Sequence, residues 1–311
     1  MPFIREFGAY LPERIVTNEE MAALAGCTPE WIVNVSGISE RRFAADEETV
    51  ADLGVKAAED CLRRAGTKAS KLGLILVSSG SSPRRFPGPA GQVASRLGLN
   101  STPAVDLPLA SAGSIFAMSL ADNLAASFGH VLVVAAEKMS SIAMSEPVQR
   151  SVSILFGDGA GACLISPKDG EARIDGSEIC SDGAHADDLA LPFAGALEMN
   201  GRSVIMHVTR KLPRVLRDVV ERHGHKPSEV NAFLLHQANS NITTRVADAL
   251  DVPVDRFYSN IARYGNTSSA SMLIAAAEWI HEHGFHRDVP VAFGGFGAGF
   301  NWGALLAIGV R

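Results

Sequence analysis

The sequence predicts an α/β protein built from two similar halves, and three observations support this fold class. Several strand-like segments, such as residues 74–79 and 131–137, are apolar at nearly every position, which is typical of strands buried on both faces. Residues 111–128 are apolar on almost every side of a helix, as expected of a helix enclosed by other elements. Finally, four segments of the first half recur, in the same order, in the second half.

The recurrence is regular along the chain. The segment "VASRLGLN" begins at residue 93 and "VADALDVP" at 246, while "ASAGSIFAMS" begins at 110 and "YGNTSSASM" at 264. Two further pairs, which begin at 71 and 229 and at 130 and 289, keep the same order and a similar spacing. Such a period is too long for a solenoid. We therefore predict two βαβαβ halves, residues 1–167 and 168–311, that meet within "LISPKDGEAR".

Composition and charge narrow the class of protein. The chain has 311 residues, of which 47% are hydrophobic and 20% charged, an ordinary globular mixture that is long enough for a large core. A net charge of −6 argues against general nucleic-acid binding. No stretch reaches the roughly 18 apolar residues of a membrane span, and the first residues lack a signal-peptide pattern. We expect a cytoplasmic protein that binds neither nucleic acid nor membrane.

The cysteines give no sign of a metal site or a disulfide framework. Cys27, Cys61, Cys163 and Cys180 include no CxxC pair and no metal-ligand spacing, so we expect all four to be reduced. The apolar surroundings of Cys163 predict a core position. We expect no metal and no bound cofactor.

Three polar residues lie where predicted strands end or predicted helices begin. Ser111 and Asn266 precede corresponding helices of the two halves, and His236 ends a buried strand. Each has an ordinary structural explanation: the first two as helix N-caps, the histidine as a hydrogen-bonded core residue. Because matching loops of two α/β halves meet at one crevice, they also form a candidate catalytic group. In it Ser111 is the nucleophile, and His236 is a general base or a donor to a carbonyl oxygen.

Two glycine-rich runs, residues 156–165 and 293–303, lack the pattern of a nucleotide-binding loop, because no acidic residue and helix follow them. Glycine allows a backbone amide to approach a ligand closely. We predict that an amide from residues 297–299, assigned to Ala298, faces Ser111. The backbone N–H groups of these two residues would form an oxyanion hole.

A family resemblance follows from motifs spread along nearly the whole chain. They are "TPEWIVNVSGISERR", "RRFPGPAGQVASRLG", "FGDGAGA", "HQAN", "GNTSSAS" and "GAGFNWG". In this order they resemble β-ketoacyl-acyl-carrier-protein synthase III, a condensing enzyme of the thiolase superfamily. The resemblance implies a five-layer αβαβα thiolase fold, a homodimer, acyl thioester substrates and a Cys-His-Asn triad. His236 and Asn266 match the second and third members.

The chain departs from the family at the nucleophile and at the substrate entrance. Ser111, in "DLPLASAG", stands where the family has cysteine. Val35, Met206 and Asn241 stand where the family commonly has basic residues that contact coenzyme A or the carrier protein. Ser111 would therefore attack as a hydroxyl, and His236 would be the adjacent base that an attacking hydroxyl needs.

Other positions match the family. The resemblance implies that Trp31 and Arg150 contact coenzyme A and that Phe86 reaches the acyl pocket of the partner subunit. A basic stretch is either a docking site for an acidic carrier protein or a solvated helix face. It consists of Arg202, Arg210, Lys211, Arg214 and Arg217.

Three functions remain open from the sequence. The first is a condensing enzyme that loads an acyl group on Ser111 and extends it with a malonyl-type unit, in fatty acid or polyketide-like metabolism. The second is an acyltransferase that passes the acyl group to a hydroxyl, an amine or a carrier thiol. The third is a silent partner subunit, against which the retained His236 and Asn266 argue. In the first two, acyl-coenzyme A and acyl-carrier protein are substrates.

Overall fold

The computed structural model describes residues 1–192 and 195–310. Strands in this part are β1 Phe3–Tyr10, β2 Arg14–Thr17, β3 Glu40–Phe43, β4 Leu72–Ser78, β5 Ala104–Leu107, β6 His130–Lys138, β7 Asp158–Ser166, β8 Ala172–Ser181, β9 Leu189–Ala190, β10 Glu198–Met199, β11 Ala232–Leu235, β12 Pro290–Gly297 and β13 Asn301–Gly309. Helices are α1 Asn18–Ala25, α2 Pro29–Ser36, α3 Val50–Arg64, α4 Ala90–Arg96, α5 Gly113–Phe128, α6 Ser140–Ala143, α7 Arg150–Ser153, α8 Gly201–Arg222, α9 Ser240–Leu250, α10 Ile261–Tyr264 and α11 Ser271–His283. None of these helices is both long enough and apolar enough to span a membrane.

The strands form one large mixed sheet with the order β11-β12-β13-β8-β1-β7-β6-β4-β5. Strand β1 pairs with β7 along its length but meets β8 only at Phe3 and Ile4. The sheet is therefore nearly divided into two parts at this junction. The first part holds β5, β4, β6, β7 and β1, and the second holds β8, β13, β12 and β11.

Helices lie between and outside these two parts. Helices α5 and α11 contribute to the largest buried apolar cluster, together with residues from both parts of the sheet. Helices α3 and α4 bury apolar residues against the opposite face of the first part, and α8 and α9 do so against the second. The resulting order is helix, sheet, helix, sheet, helix, which is the expected five-layer αβαβα fold.

The two halves are similar but not equal in their strands. In the first half the chain passes from α4 through β5 to α5. In the second half the chain between α9 and α11 pairs with β11 through one parallel bridge, from Phe257 to Phe233, and a second bridge joins Asn266 to Phe156. The second half therefore keeps the duplicated pattern, with the Phe257 bridge in place of a strand equivalent to β5. The proposed boundary after residue 167 lies in the connection from β7 to β8, and the division into two domains stays a prediction.

A buried carboxylate joins the two halves at the head of α5. Glu137, at the end of β6, is fully buried. It accepts hydrogen bonds from the backbone N–H groups of Gly80 and Ser81 at 3.0 Å and of Ser269 at 3.2 Å. The hydroxyls of Ser81 and Ser269 each donate to it at 2.6 Å, and that of Ser79 at 3.3 Å. These N–H and hydroxyl donors are all groups of the folded chain. Their hydrogen bonds compensate the charge of the Glu137 carboxylate without a cation.

We predict that Glu137→Gln lowers the free energy of unfolding by about 2–4 kcal/mol. The amide nitrogen would face N–H donors where an oxygen now accepts, which leaves buried donors unpaired. Denaturant unfolding measures the change. Glu13→Gln is the matched control, because Glu13 is exposed and its loss should cost less than about 0.5 kcal/mol. Equal stability of the two variants would contradict a bridging role for Glu137.

Candidate active site

Ser111 occupies an uncommon backbone conformation just before α5. Its φ is 59°, in the left-handed region that residues other than glycine rarely adopt. Gly297 makes this approach possible, because a Cβ on Gly297 would lie 2.9 Å from Ser111 Cβ and 2.3 Å from the Ala110 carbonyl oxygen. The alternative of a helix cap is wrong: α5 begins at Gly113, two residues later than predicted, and its N-cap is Ala112, with no side-chain hydrogen bond.

His236 directly follows β11, and its backbone N–H donates to the Gly294 carbonyl of the neighbouring strand at 2.9 Å. The ring nitrogen Nδ1 lies 2.6 Å from the Ser271 hydroxyl. Burial lowers the pKa of His236 from 6.5 to about 4, although a hydrogen bond with the Ser268 backbone opposes this. The ring is therefore neutral at physiological pH and can accept a proton.

Hydrogen bonds hold the backbone N–H, the backbone carbonyl and the side-chain oxygen of Asn266. Its N–H donates to the Leu155 carbonyl, and its carbonyl accepts from Gly157. Side-chain Oδ1 accepts the Ser268 N–H at 2.8 Å. The N-cap interpretation is nevertheless wrong, because the 3₁₀ turn before α11 has Thr267 as its N-cap and α11 has Ala270, neither with a side-chain hydrogen bond. In the described part of the chain Nδ2 has no hydrogen-bond partner, so the bond to Ser268 orients an amide with a free donor.

All three residues line one cavity of about 200 Å³. Its remaining walls are mostly apolar and come from α8, α9 and the segment around β9 and β10. They include Leu189, Leu191, Leu197, Met199, Val204, Ile205, Val208, Ile242 and Val246. A hydroxyl, a neutral imidazole and an amide donor beside a long apolar space suit chemistry on the carbonyl of an acyl chain.

The polar groups are placed for a bound substrate rather than linked to one another. No hydrogen bond joins the Ser111 hydroxyl to His236 among the described residues. The Ser111 N–H donates to the Ser268 hydroxyl at 3.0 Å. We expected this N–H to be free to bind an oxyanion, but in the structure it already has a partner. Ala298 lines the cavity, and its carbonyl accepts from Asn301 Nδ2 at 2.6 Å. Its place in an oxyanion hole stays a prediction.

The other predicted contact residues lie outside the cavity lining. The Arg150 guanidinium lies 5.9 Å from the centre of the Trp31 ring and donates to the Ala25 and Gly26 carbonyls. Phe86 is 85% exposed, on the loop between β4 and α4. These positions bring Trp31 and Arg150 together and leave Phe86 unpacked within its own chain.

The basic stretch lies on α8 and is partly committed to internal contacts. Lys211 pairs with Asp182 at 2.5 Å and lies 4.2 Å from the centre of the Trp302 ring. Arg217 donates to the Ala249 carbonyl. Of the five basic residues, Arg202, Arg210 and Arg214 are exposed, and only these three can meet a partner with most of their surface.

The residues that depart from the family pattern outside the nucleophile lie on α2 (Val35), α8 (Met206) and α9 (Asn241). The Val35 carbonyl accepts hydrogen bonds from the side-chain amides of Asn239 at 2.7 Å and Asn241 at 3.4 Å. The Asn241 side chain is therefore tied to the backbone of α2. Met206 on α8 is 43% exposed.

Sequence reasoning missed two serines that support the site. Ser268 receives the Ser111 N–H, and Ser271 contacts the His236 ring. The only signal was the serine-rich run "GNTSSAS" itself, which was used as a family motif. Of the cysteines, Cys61 and Cys163 are buried, as predicted for Cys163.

Comparisons with known proteins agree with this geometry. The sequence profile of 3-oxoacyl-[acyl-carrier-protein (ACP)] synthase III matches residues 105–183, and the profile of its C-terminal part matches residues 220–307. The beta-ketoacyl-[acyl-carrier-protein] synthase III of Oleidesulfovibrio alaskensis is 36% identical over 98% of both chains. The chain belongs to this family. The proteins of this family are condensing enzymes, and the chain is a synthase III-like member.

Solved structures of synthase III proteins have the same fold. The Aquifex aeolicus VF5 enzyme has a TM-score of 0.94 at 34% identity, over 99% of this chain and 100% of its own. The priming β-ketosynthase of the R1128 polyketide pathway has a TM-score of 0.91 at 30% identity, over 100% of this chain and 97% of its own. The similar solved structures thus include enzymes named synthase III and one named for polyketide priming.

We predict that His236 makes stability depend on pH. Its folded-state pKa of about 4 lies below the ordinary 6.5, so between these values the unfolded chain binds a proton that the native chain does not. The free energy of unfolding should therefore fall as the pH drops from 6.5 to 4, by about 3 kcal/mol from this residue. Above pH 6.5 its contribution is constant.

Chemical denaturation between pH 4 and 8 measures this dependence as wild type minus His236→Gln. The variant cannot titrate, so the difference isolates one residue. Identical slopes of stability against pH in the two proteins would contradict the buried, neutral imidazole.

Proposed function

We propose that this protein is a synthase III-like enzyme that loads an acyl group from a thioester on Ser111 and condenses it with a malonyl-type extender. One observation carries the proposal: Ser111, His236 and Asn266 line the same apolar cavity. The names of the relatives, which print an acyl-carrier-protein synthase and a polyketide priming ketosynthase, support such chemistry in fatty acid or polyketide-like metabolism. Serine in the nucleophile position is the feature that separates this chain from the family pattern.

In the first half-reaction His236 accepts the Ser111 proton as the oxygen attacks the thioester carbonyl. The carbon–sulfur bond then breaks, and the proton passes to the leaving thiolate. A neutral, buried imidazole suits this exchange, because it begins without a proton and returns to that state. The product is an oxygen ester on Ser111 with its acyl chain in the apolar cavity.

In the second half-reaction the malonyl thioester loses carbon dioxide, and the resulting enolate attacks the ester on Ser111. The Asn266 amide donates to the extender carbonyl and so stabilises the enolate. The bond from Ser111 oxygen to the acyl carbon breaks, and the serine oxygen regains a proton from solvent. The β-ketoacyl product leaves as the thioester of the group that carried the malonyl extender.

The substrates and the assembly are also part of the proposal. Coenzyme A would contact Trp31 and Arg150 at the surface, and an acidic carrier protein would meet the exposed Arg202 and Arg210 on α8. The chain would form a homodimer in which Phe86 reaches the acyl pocket of the partner subunit. Its exposure and its place on a loop beside the edge strand β5 support this arrangement.

We predict that the wild-type protein gains the mass of one acyl group when it is incubated with a suitable acyl-coenzyme A, and that Ser111→Ala gains none. The reason is that Ser111 carries the hydroxyl that faces the cavity. Intact-mass spectrometry over a panel of chain lengths makes the measurement. An adduct that persists in Ser111→Ala would place the nucleophile elsewhere.

A second prediction separates condensation from simple acyl transfer. Ser111→Cys replaces the oxygen ester by a thioester, which a carbanion cleaves more readily. We expect the variant to equal or exceed the wild type in β-ketoacyl product formed from malonyl-coenzyme A or malonyl-carrier protein, measured by mass spectrometry. A tenfold change in rate corresponds to only about 1.4 kcal/mol, so a modest gain is measurable.

The opposite outcome favours the alternative function. If Ser111→Cys is acylated efficiently and neither extender gives a ketone, the site does not support the enolate. The protein would then be an acyltransferase whose acceptor is a hydroxyl, an amine or a thiol.

A further inference from the structure

We propose that Ser271 is a positioning residue that holds His236 as the tautomer with its proton on Nδ1, which leaves Nε2 as the basic nitrogen. The inference deepens the proposed function, since it concerns the base that would activate Ser111. It rests on the hydrogen bonds made by one buried hydroxyl.

Three partners surround the Ser271 oxygen. The His236 Nδ1 atom lies at 2.6 Å, the Gln237 backbone N–H donates at 3.0 Å, and the Ser268 carbonyl accepts at 3.0 Å. Ser271 is 1% exposed, so solvent does not supply a fourth partner. The hydrogen-bond roles must therefore be distributed among these groups.

A hydroxyl has one proton to donate and two lone pairs to accept. The Gln237 N–H can only donate, so it uses one lone pair. The Ser268 carbonyl can only accept, so it takes the Ser271 proton. One lone pair remains for the histidine, and it is satisfied only if Nδ1 carries a proton. The other tautomer would direct the Ser271 proton to Nδ1, and both that lone pair and the contact with Ser268 would be lost.

The surroundings keep this arrangement rigid. The Gln237 side chain donates to the Leu235 and Tyr258 carbonyls and accepts from the Ser259 hydroxyl. This fixes the backbone that presents its N–H to Ser271. Ser271 is also the first residue of α11, and the positive end of a helix disfavours a charged imidazole.

The tautomer decides what His236 can do in each half-reaction. With the proton on Nδ1, the free lone pair on Nε2 can take the proton of Ser111. The same nitrogen cannot donate to the carbonyl of the extender while the ring is neutral. That task then falls to Asn266 Nδ2, which the turn before α11 leaves free. Loss of Ser271 should therefore slow the loading of Ser111.

Nitrogen-15 NMR on the full-length protein tests the tautomer directly, because protonated and unprotonated ring nitrogens have well-separated shifts. The chain has nine histidines, and the signals missing from His236→Gln identify the relevant ring. The same samples are used for single-turnover acylation of Ser111, followed by intact mass. The variants are Ser271→Ala, Ser271→Thr, which retains the hydroxyl, and Ser114→Ala as control. Ser114 is buried, and its hydroxyl has no hydrogen-bond partner among the described residues.

We expect Nδ1–H in the wild type and a mixture of tautomers in Ser271→Ala, with acylation slowed at least about tenfold. Ser271→Thr should retain the wild-type spectrum and most of the rate, and Ser114→Ala should change neither. An Nε2–H spectrum in the wild type overturns the proposal, even if Ser271→Ala does not fold. So does an unchanged tautomer in Ser271→Ala, whatever the rate.

The proposed function fails separately. If no acyl thioester modifies wild-type Ser111, the loading step is refuted, and the spectrum of His236 still decides the role of Ser271.

Discussion

The carboxylate of Glu137 is the contact on which the geometry of the site depends. It lies at the end of β6 in the first half and binds the Ser269 N–H and hydroxyl of the second half. Ser269 lies in the chain between Asn266 and Ser271, while Gly80, whose N–H binds the same carboxylate, lines the cavity. One buried charge thus sets the separation between the serine of one half and the histidine and asparagine of the other. A buried carboxylate of this kind tolerates little displacement, because each lost donor costs more than its bond returns.

Burial has a second effect at His236. Removal from water makes the imidazole a weak base but also keeps it unprotonated over the whole physiological range. A weak base has a smaller driving force to remove the proton of a hydroxyl. A base that stays neutral, however, is in the form that accepts a proton at every physiological pH. A thiolate formed by its setting would not require this balance. In the proposed function the serine nucleophile makes this balance necessary, and in the proposal for Ser271 its hydrogen bonds select the nitrogen of His236 that acts.

Apolar patterning predicted the buried strands and the position of His236 at a strand end, the recurring segments predicted the two halves, and the five-layer arrangement was implied by the family resemblance. The sequence did not predict that Ser111 lies outside its helix, since the left-handed backbone there depends on Gly297, which approaches from a distant strand. The strand between α9 and α11 is reduced to a bridge at Phe257, because a repeat in sequence does not fix the length over which two segments pair. The roles of Ser268 and Ser271 were also out of reach, because buried hydroxyls act through partners that only the fold brings together.

The single bridge at Phe257 in place of a full strand also has a consequence for symmetry. The sheet ends at β5 on one side and at β11 on the other, and the Phe257 segment lies along the outer side of β11. Of the two ends of the large sheet, only β5 has no further paired segment among the described residues. If both ends were open, the β5 of one molecule could add to the β11 of the next, and such head-to-tail addition has no natural end. With one end covered, strand addition can join β5 only to another β5 through a two-fold axis, and growth stops at two.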